Sequence, residues 1–101
     1  MEYIMSIRVV ARDHMKPECR DEAFRLIQEL IAKTREEPGN ISYVYCTDTN
    51  DPDYFAMIED WKDKDALDAH MRSEHFDYYV SRLSQMMAEP SRLEVYEELL
   101  K

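Results

Sequence analysis

The chain is poor in glycine and cysteine, and each shortage excludes a class of site. It holds one glycine among 101 residues. Phosphate-cradling loops and the dinucleotide-binding fingerprint each need several glycines, so nucleotide sites of those kinds are excluded. The two cysteines, Cys19 and Cys46, lie far apart without metal-ligand spacing. We interpret them as free thiols, which predicts a cytoplasmic protein in a reducing compartment.

Basic residues and long apolar runs are also scarce. Acidic residues outnumber basic ones by 22 to 13, and the net charge is −9. Nucleic acids and anionic membranes attract basic surfaces, so the sequence predicts neither partner. No apolar run approaches the ~20 residues of a membrane-spanning helix. The first residues lack the basic and apolar regions of a signal peptide, so none is expected.

Apolar periodicity divides the chain into seven elements of one predicted domain, residues 1–101. Alternating apolar residues predict strands, and a spacing of three or four predicts helices. The order is β-α-β-β-α-α-β, which predicts an α+β fold. It is typical of the ferredoxin-like split βαβ arrangement with an antiparallel sheet, its second helix broken in two. The predicted strands cover 3–12, 41–47, 54–61 and 91–97, and the predicted helices cover 18–36, 63–71 and 74–87.

The predicted strands are apolar on both faces. Helices of one chain can cover only one face of a four-stranded sheet, and the other face should then be polar. A second copy of the chain is the simplest cover, so we expect a homodimer with two sheets packed face to face. The opposed sets are Ile7 and Val9 against Ile4 and Val10, Ile41, Tyr43 and Tyr45 against Val44 and Cys46, and Phe55, Met57 and Trp61 against Ala56 and Ile58.

Candidate chemistry concentrates at the end of the third strand. Glu59 and Trp61 share a face with Met57 and Phe55, because side chains alternate along a strand. A carboxylate among apolar neighbours is either a structural hydrogen-bond partner or a pocket group whose pKa burial raises. Trp61 is either a core residue or the wall of a pocket.

Two histidines follow within 14 residues. His70 lies on the inward stripe of a short helix, and His75 opens the next helix. Both are candidates to converge on one cavity, although an inward histidine is also common in a core. A metal site made of Glu59, His70 and His75 is conceivable, but zinc-type ligand spacing is absent. We therefore expect no metal and no other cofactor.

The same residues resemble a known family. Pro38-Gly39, the segment Ile58-Glu59-Asp60-Trp61, Ala66 to His70, and His75-Phe76 are similar to the antibiotic biosynthesis monooxygenase-like domains. The resemblance covers residues 5 to 97. It implies a dimeric α+β barrel with a pocket in each chain between the sheet and the helices.

Within that family, the chain resembles most the small quinol monooxygenases. These oxidise quinols with molecular oxygen and need no metal or flavin. The resemblance implies a small quinol or hydroxyarene and O2 as partners, with His70, His75 and Glu59 as catalytic candidates. It further implies substrate contacts to the following side chains: Trp61, Tyr43, Phe55, Met57 and Tyr79.

Two other functions stay open at this point. One is a small-molecule-binding dimer of the same fold without catalysis. The other follows a similar branch of the family, which isomerises a phosphorylated derivative of a signalling molecule. That reaction needs a cationic clamp for the phosphate, and the candidates are Arg8, Arg72 and Arg82.

Overall fold

A computed structural model describes residues 6–100 and orders them as the sequence predicts. Three helices pack on a four-stranded sheet. The elements are β1 (Ile7–His14), α1 (Arg20–Thr34), β2 (Asn40–Thr47), β3 (Tyr54–Trp61), α2 (Lys64–Met71), α3 (Glu74–Leu83) and β4 (Arg92–Glu97). Short 3₁₀ turns at Pro17–Cys19 and Ser84–Met86 precede α1 and follow α3.

The strand order is β2-β3-β1-β4, and every neighbouring pair is antiparallel. β3 inserts between β1 and β2, which α1 connects, so the ferredoxin-like split βαβ prediction is confirmed. The limits of the elements differ slightly from prediction. β1 continues to His14, two residues further than expected. The outward face predicted for Ile4 lies outside the described residues.

The core fills the space between one sheet face and the helices. Alternate residues of β1 and β3 are buried, including Val9, Met57 and Trp61. On α1 the residues Ile27 and Leu30 are buried at helical spacing. Burial of such side chains stabilises the fold by roughly 1.5–3 kcal/mol each. The layer they form is also the layer in which the candidate site lies.

Side-chain caps fix the break between α2 and α3. The Asp63 carboxylate accepts a hydrogen bond from the backbone N–H of Ala66 at 2.8 Å and starts α2. Ser73 caps α3 by accepting from the backbone N–H of Phe76, as its position before the helix predicts. The break places His70 in the last turn of α2 and His75 in the first turn of α3.

One face assignment on β2 is wrong. Ile41 was expected to share the helix-facing side with Tyr43, but its side chain is 62% exposed. A β-bulge lies between Asn40 and Ser42, where β2 uses one more residue than β3. The extra residue reverses the alternation before Ser42, so Ile41 leaves the face on which Tyr43 lies.

The opposite sheet face exposes apolar side chains. Val44 and Val10 both pair with Ile58, and these three residues form a row across β2, β3 and β1. Val44 and Ile58 remain 43% and 41% exposed. Tyr96 on β4 is exposed next to Arg8. Within residues 6–100, no helix has the length and hydropathy to cross a membrane.

Candidate active site

A cavity of about 210 Å³ lies between the helix-facing side of the sheet and the three helices. Most of its wall is apolar, and its polar groups lie at separate places along the strands. Among the described residues, no lysine or arginine lines it. The lining residues are Val9, Ala11, Asp13, Ile27, Leu30, Tyr43, Tyr45, Met57, Glu59, Leu67, His70, Met71, Phe76, Val80, Leu83, Ser84, Met87, Ser91 and Leu93.

His70 is held in the cavity wall by Glu37. The His70 Nδ1 atom lies 2.7 Å from Oε2 of Glu37, and the ring is almost wholly buried. An ionised carboxylate only accepts hydrogen bonds, so a neutral His70 carries its proton on Nδ1 and donates it to Glu37. The Nε2 atom of the same ring then has a free lone pair.

No described residue bonds to this Nε2 atom, although it is fully buried. Burial lowers the pKa of His70, and the nearby Glu37 opposes that change. The ring is therefore kept neutral with an unused acceptor. A buried polar atom without a partner is costly, which is typical of an atom that meets a ligand.

His75 supports the same carboxylate from the other helix. Its Nε2 atom lies 2.9 Å from Oε2 of Glu37 and 3.4 Å from the Ser73 hydroxyl. His75 does not line the cavity. Glu37, His70 and His75 thus form one network, here called the Glu37 network, which joins the end of α1 to the α2–α3 junction. His75 fits a supporting role and does not reach the cavity.

A glycine allows Glu37 to come this close. Gly39 is buried against α2, and a Cβ atom at Gly39 would lie 2.3 Å from the Cβ of Ala66. The Gly39 carbonyl also accepts from the backbone N–H of Lys62 at 3.0 Å. Glu37 directly follows the predicted helix 18–36 and was not among the candidate residues, so the main partner of His70 was missed. The signal present was this glycine, two positions after the glutamate.

Glu59 is hydrogen-bonded to its neighbour on the strand and not to the histidines with which it was considered as a metal ligand. Its Oε1 atom accepts a hydrogen bond from the indole N–H of Trp61 at 2.9 Å, and it binds neither histidine. The reason is geometric: Glu59 and Trp61 are successive inward residues of β3. Burial raises the pKa of Glu59 to about 7, although the Trp61 bond opposes this. Glu59 lines the cavity, and its Oε2 atom has no hydrogen-bond partner among the described residues.

The predicted substrate contacts divide into two groups. Tyr43 and Met57 line the cavity, whereas Trp61, Phe55 and Tyr79 do not. Each residue of the second group is packed by neighbours instead. Trp61 lies behind His70, with ring centres 4.6 Å apart, and is fully buried.

Phe55 and Tyr79 are held away from the cavity by other contacts. The Phe55 ring stacks on Tyr45 at 5.3 Å, and the Tyr79 hydroxyl donates to Oε1 of Glu29 at 2.9 Å. These contacts correct the expectation that Phe55, Tyr79 and Trp61 face a substrate. An inward face on a strand or helix does not distinguish a cavity wall from the packed core around it.

The Glu37 network also has the donor set of a metal site. One ligand atom each from Glu37, His70 and His75 lies within 4.8 Å of the others. The carboxylate is Glu37 and not Glu59, the residue considered from the sequence. Two ligands of one tetrahedral zinc ion lie about 3.4 Å apart. The two nitrogen–oxygen separations of 2.7 and 2.9 Å are instead those of hydrogen bonds.

The arginines considered as a phosphate clamp do not line the cavity. Arg8 points to the other sheet face and pairs with Asp60 at 3.1 Å. The guanidinium of Arg82 lies 3.6 Å from the ring centre of Tyr78 on the surface. Arg72 is exposed at the end of α2.

Three known proteins are similar to this chain in sequence over most of its length. An uncharacterized Synechocystis protein is 31% identical over 90 residues; these cover 89% of this chain but only 61% of that longer protein. YcnE of Bacillus subtilis, provisionally named a monooxygenase, is 32% identical, and the match covers 75% of this chain and 80% of YcnE. A 4-hydroxy-5-phosphonooxypentane-2,3-dione isomerase of Klebsiella pneumoniae is 30% identical, with 76% of this chain and 79% of the isomerase covered.

Solved structures match over almost the whole chain. A conserved protein of Methanosarcina mazei superposes with a TM-score of 0.90 at 35% identity, covering 92% of both chains. A crystal structure of an antibiotic biosynthesis monooxygenase gives 0.87 at 34% identity, covering 93% of this chain and 99% of that one. The antibiotic biosynthesis monooxygenase family model matches residues 6–82. This chain belongs to the antibiotic biosynthesis monooxygenase family.

Proposed function

We propose that the protein is a cofactor-independent monooxygenase that oxidises a small quinol or hydroxyarene with molecular oxygen. One observation carries the proposal: His70 lines an apolar cavity with a buried, unpartnered Nε2 atom, while Glu37 holds its Nδ1 atom. This is the arrangement of an oriented general base. It is suited to a substrate whose acidic hydroxyl must lose a proton in a dry site.

The reaction begins when a small side-chain movement opens the buried Nε2 atom of His70 to the cavity, and a ring hydroxyl then transfers its proton to that atom. Glu37 stabilises the imidazolium that forms, because its carboxylate already accepts from Nδ1. The resulting arenolate passes one electron to O2, and the two radicals combine at a ring carbon into a peroxide anion. The His70 imidazolium returns its proton to this anion and forms the hydroperoxide. Loss of water leaves a quinone, so one oxygen atom enters the product and the other enters water.

Glu59 assists at the same end of the cavity. With a pKa of about 7, its carboxyl group exists in both protonation states near neutral pH. In the ionised state its free Oε2 atom accepts a hydroxyl proton, and in the protonated state the group donates to a developing oxyanion. Trp61 is a positioning residue in this scheme, since its indole N–H fixes the carboxyl group of Glu59.

The isomerase alternative has one relative in its favour, the Klebsiella pneumoniae protein. The composition of the cavity argues against a phosphorylated substrate here. Within residues 6–100, its polar lining includes the carboxylates Asp13 and Glu59 and no basic residue apart from His70. Negative groups without a cation repel a phosphate, so the wall favours a neutral ligand. A non-catalytic binding protein would use the same cavity.

We further propose that the protein works as a homodimer in the cytoplasm. The exposed row of Val10, Val44 and Ile58 supports a second sheet as its cover. Cys19 and Cys46 are both free, which fits a reducing compartment. Light scattering at micromolar concentration tests the dimer: a stable monomer of about 12 kDa contradicts it.

Oxygen uptake tests the activity. Protein dialysed against a chelator is screened against one-ring and two-ring quinols and hydroxyarenes, with and without superoxide traps. We expect oxygen consumption that needs His70 and forms a quinone. Zinc, iron or flavin retained stoichiometrically through the dialysis would contradict a cofactor-independent reaction. Ligand binding without any oxygen uptake would favour the non-catalytic binding protein.

A further inference from the structure

The cavity has a second polar end, about four residues along the sheet from Glu59. Asp13 is the polar residue there, and it lines the cavity together with Ser84 and Ser91. In the sheet register Val9 pairs with Glu59, and Asp13 pairs with Phe55. Four residues of a strand span about 13 Å, which is therefore the distance between the two ends along the sheet.

Asp13 is built as an acceptor. Its Oδ2 atom accepts from the Tyr45 hydroxyl at 3.0 Å, and its Oδ1 atom accepts from the Ser91 hydroxyl at 2.5 Å. Burial first, and then the charge of Asp13, raises the pKa of Tyr45, so this hydroxyl remains protonated and keeps donating. Among the described residues, no cation pairs with Asp13. Each carboxylate oxygen can accept a second hydrogen bond from a ligand.

The two ends differ in access. Glu59 and His70 are 5% and 1% exposed, so the inner end is closed. Ser84, Ser91 and Leu93 at the Asp13 end are exposed, as are Met71 and Val80 on the helical side, and the polar mouth is the one at Asp13. Between the ends the floor of the cavity is apolar, with Ala11 and Met57 on neighbouring strands.

We propose that this slot selects an elongated, neutral dihydroxyarene, held by one hydroxyl at His70 and Glu59 and by the other at Asp13. The proposal rests on the proposed function, since it names the class of hydroxyarene. Of the roughly 13 Å that the strand rise gives between the two ends, two hydrogen bonds of about 2.7 Å leave about 8 Å for the span between the ligand oxygens. A fused two-ring diol with hydroxyls at opposite ends fits this length. A single-ring quinol spans too little of it to reach both ends.

Isothermal titration calorimetry tests this without turnover, with naphthalene-2,6-diol and 2-naphthol as a matched pair of probes. The two differ only in the second hydroxyl, the one assigned to Asp13. We expect the diol to bind at least about tenfold more tightly, because a hydrogen bond to a carboxylate is stronger than one to a neutral group. Benzene-1,4-diol should bind less tightly than naphthalene-2,6-diol.

Substitutions at the Asp13 end of the cavity test whether Asp13 causes the preference for the diol over 2-naphthol. Asp13→Leu should remove the preference for the diol and leave the affinity for 2-naphthol within about twofold. Asp13→Asn keeps the size of the side chain but removes its charge, so the preference should fall to about threefold or less, and this variant serves if Asp13→Leu folds poorly. Asp48→Asn, in the exposed turn before β3, is the control and should change neither affinity.

Three outcomes overturn the slot: equal affinities of the two naphthols, a preference that survives in Asp13→Leu, or no binding of either naphthol. The oxygen-uptake test then decides the proposed function separately. Oxidation of single-ring quinols that depends on His70 would retain the general base and reject the slot. Tight, Asp13-dependent binding of the diol without oxygen uptake would retain the slot and reject the monooxygenase.

Discussion

Glu37 and Glu59 lie in one small region of the molecule and meet opposite conditions. Glu37 receives both imidazoles and is partly exposed. Glu59 is buried in the cavity wall and receives a single indole N–H. Burial without enough donors raises the pKa of Glu59 to about 7. Two carboxylates of the same residue type thus differ in donors and in access to solvent, and at Glu59 burial outweighs the single donor.

His70 bonds to Glu37 and packs against Trp61, the donor to Glu59, and removing His70 should have the largest effect. If His70 is the base, His70→Ala lowers the oxidation rate by about 10²–10⁴-fold. His14→Ala is the matched control, since His14 stacks on Tyr54 at the far end of β1. Turnover and melting temperature are measured on the same samples. A destabilised His70→Ala variant with full activity per folded molecule would show that the histidine is structural.

Two substitutions of Trp61 separate its contribution to packing from its hydrogen bond to Glu59. Trp61→Ala should destabilise the fold by about 3–5 kcal/mol, because it empties a fully buried site. Trp61→Phe should keep most of the stability but lose the hydrogen bond that holds the pKa of Glu59 down. The pKa of Glu59 should therefore rise further in that variant. Urea titration and NMR titration measure the two quantities, and an unchanged pKa in Trp61→Phe would contradict the role of the indole.

Because the pKa of Glu59 is raised in the folded state, the protein should lose stability as the pH rises. The folded state binds the proton more tightly than the unfolded state, whose pKa is 4.5. The free energy of unfolding should therefore fall as pH rises from about 4.5 to 7 and then level off. The cost above pH 7 is about 3 kcal/mol as an upper estimate.

Glu59→Gln should remove this decline, so the variant should be more stable than the parent at pH 8 and similar or weaker at pH 4. Glu18→Gln, an exposed glutamate before α1, is the control and should follow the parent. Chemical denaturation across the pH range measures both. Parallel curves for parent and Glu59→Gln would show that Glu59 ionises normally.

The smallest expected effect belongs to Glu37. Glu37→Gln keeps an acceptor for Nδ1 of His70 but removes the charge that stabilises the imidazolium, so the rate should fall about tenfold. Because Glu37 raises the pKa of His70, its loss should also move the acidic limb of the rate profile, where the base becomes protonated, to lower pH. Glu36→Gln, its exposed neighbour, is the control. A rate loss without any shift of the profile would indicate a purely structural role.

The order of helices and strands could be predicted from the sequence, because the apolar periods of two and about 3.6 are visible within short segments. It failed at Ile41, since one extra residue at a bulge reverses a face and leaves the composition unchanged. It identified His70 and Glu59 as inward residues. It could not pair His70 with Glu37, which lies 33 positions away and depends on how a loop meets α2. Asp13 was missed because a strand-end aspartate is usually solvated.

The packing of Gly39 against Ala66 leaves no space for a side chain at position 39. The loop carrying Glu37 rests on Ala66 so closely that one added methyl group would overlap the Ala66 side chain. Relief would require the loop or α2 to shift, and either shift separates the carboxylate from the imidazole. The close contact between Gly39 and Ala66 therefore sets the distance between Glu37 and His70, although neither small residue takes part in that hydrogen bond. We expect a larger residue at Gly39 or Ala66 to disturb the Glu37–His70 hydrogen bond before it disturbs the fold.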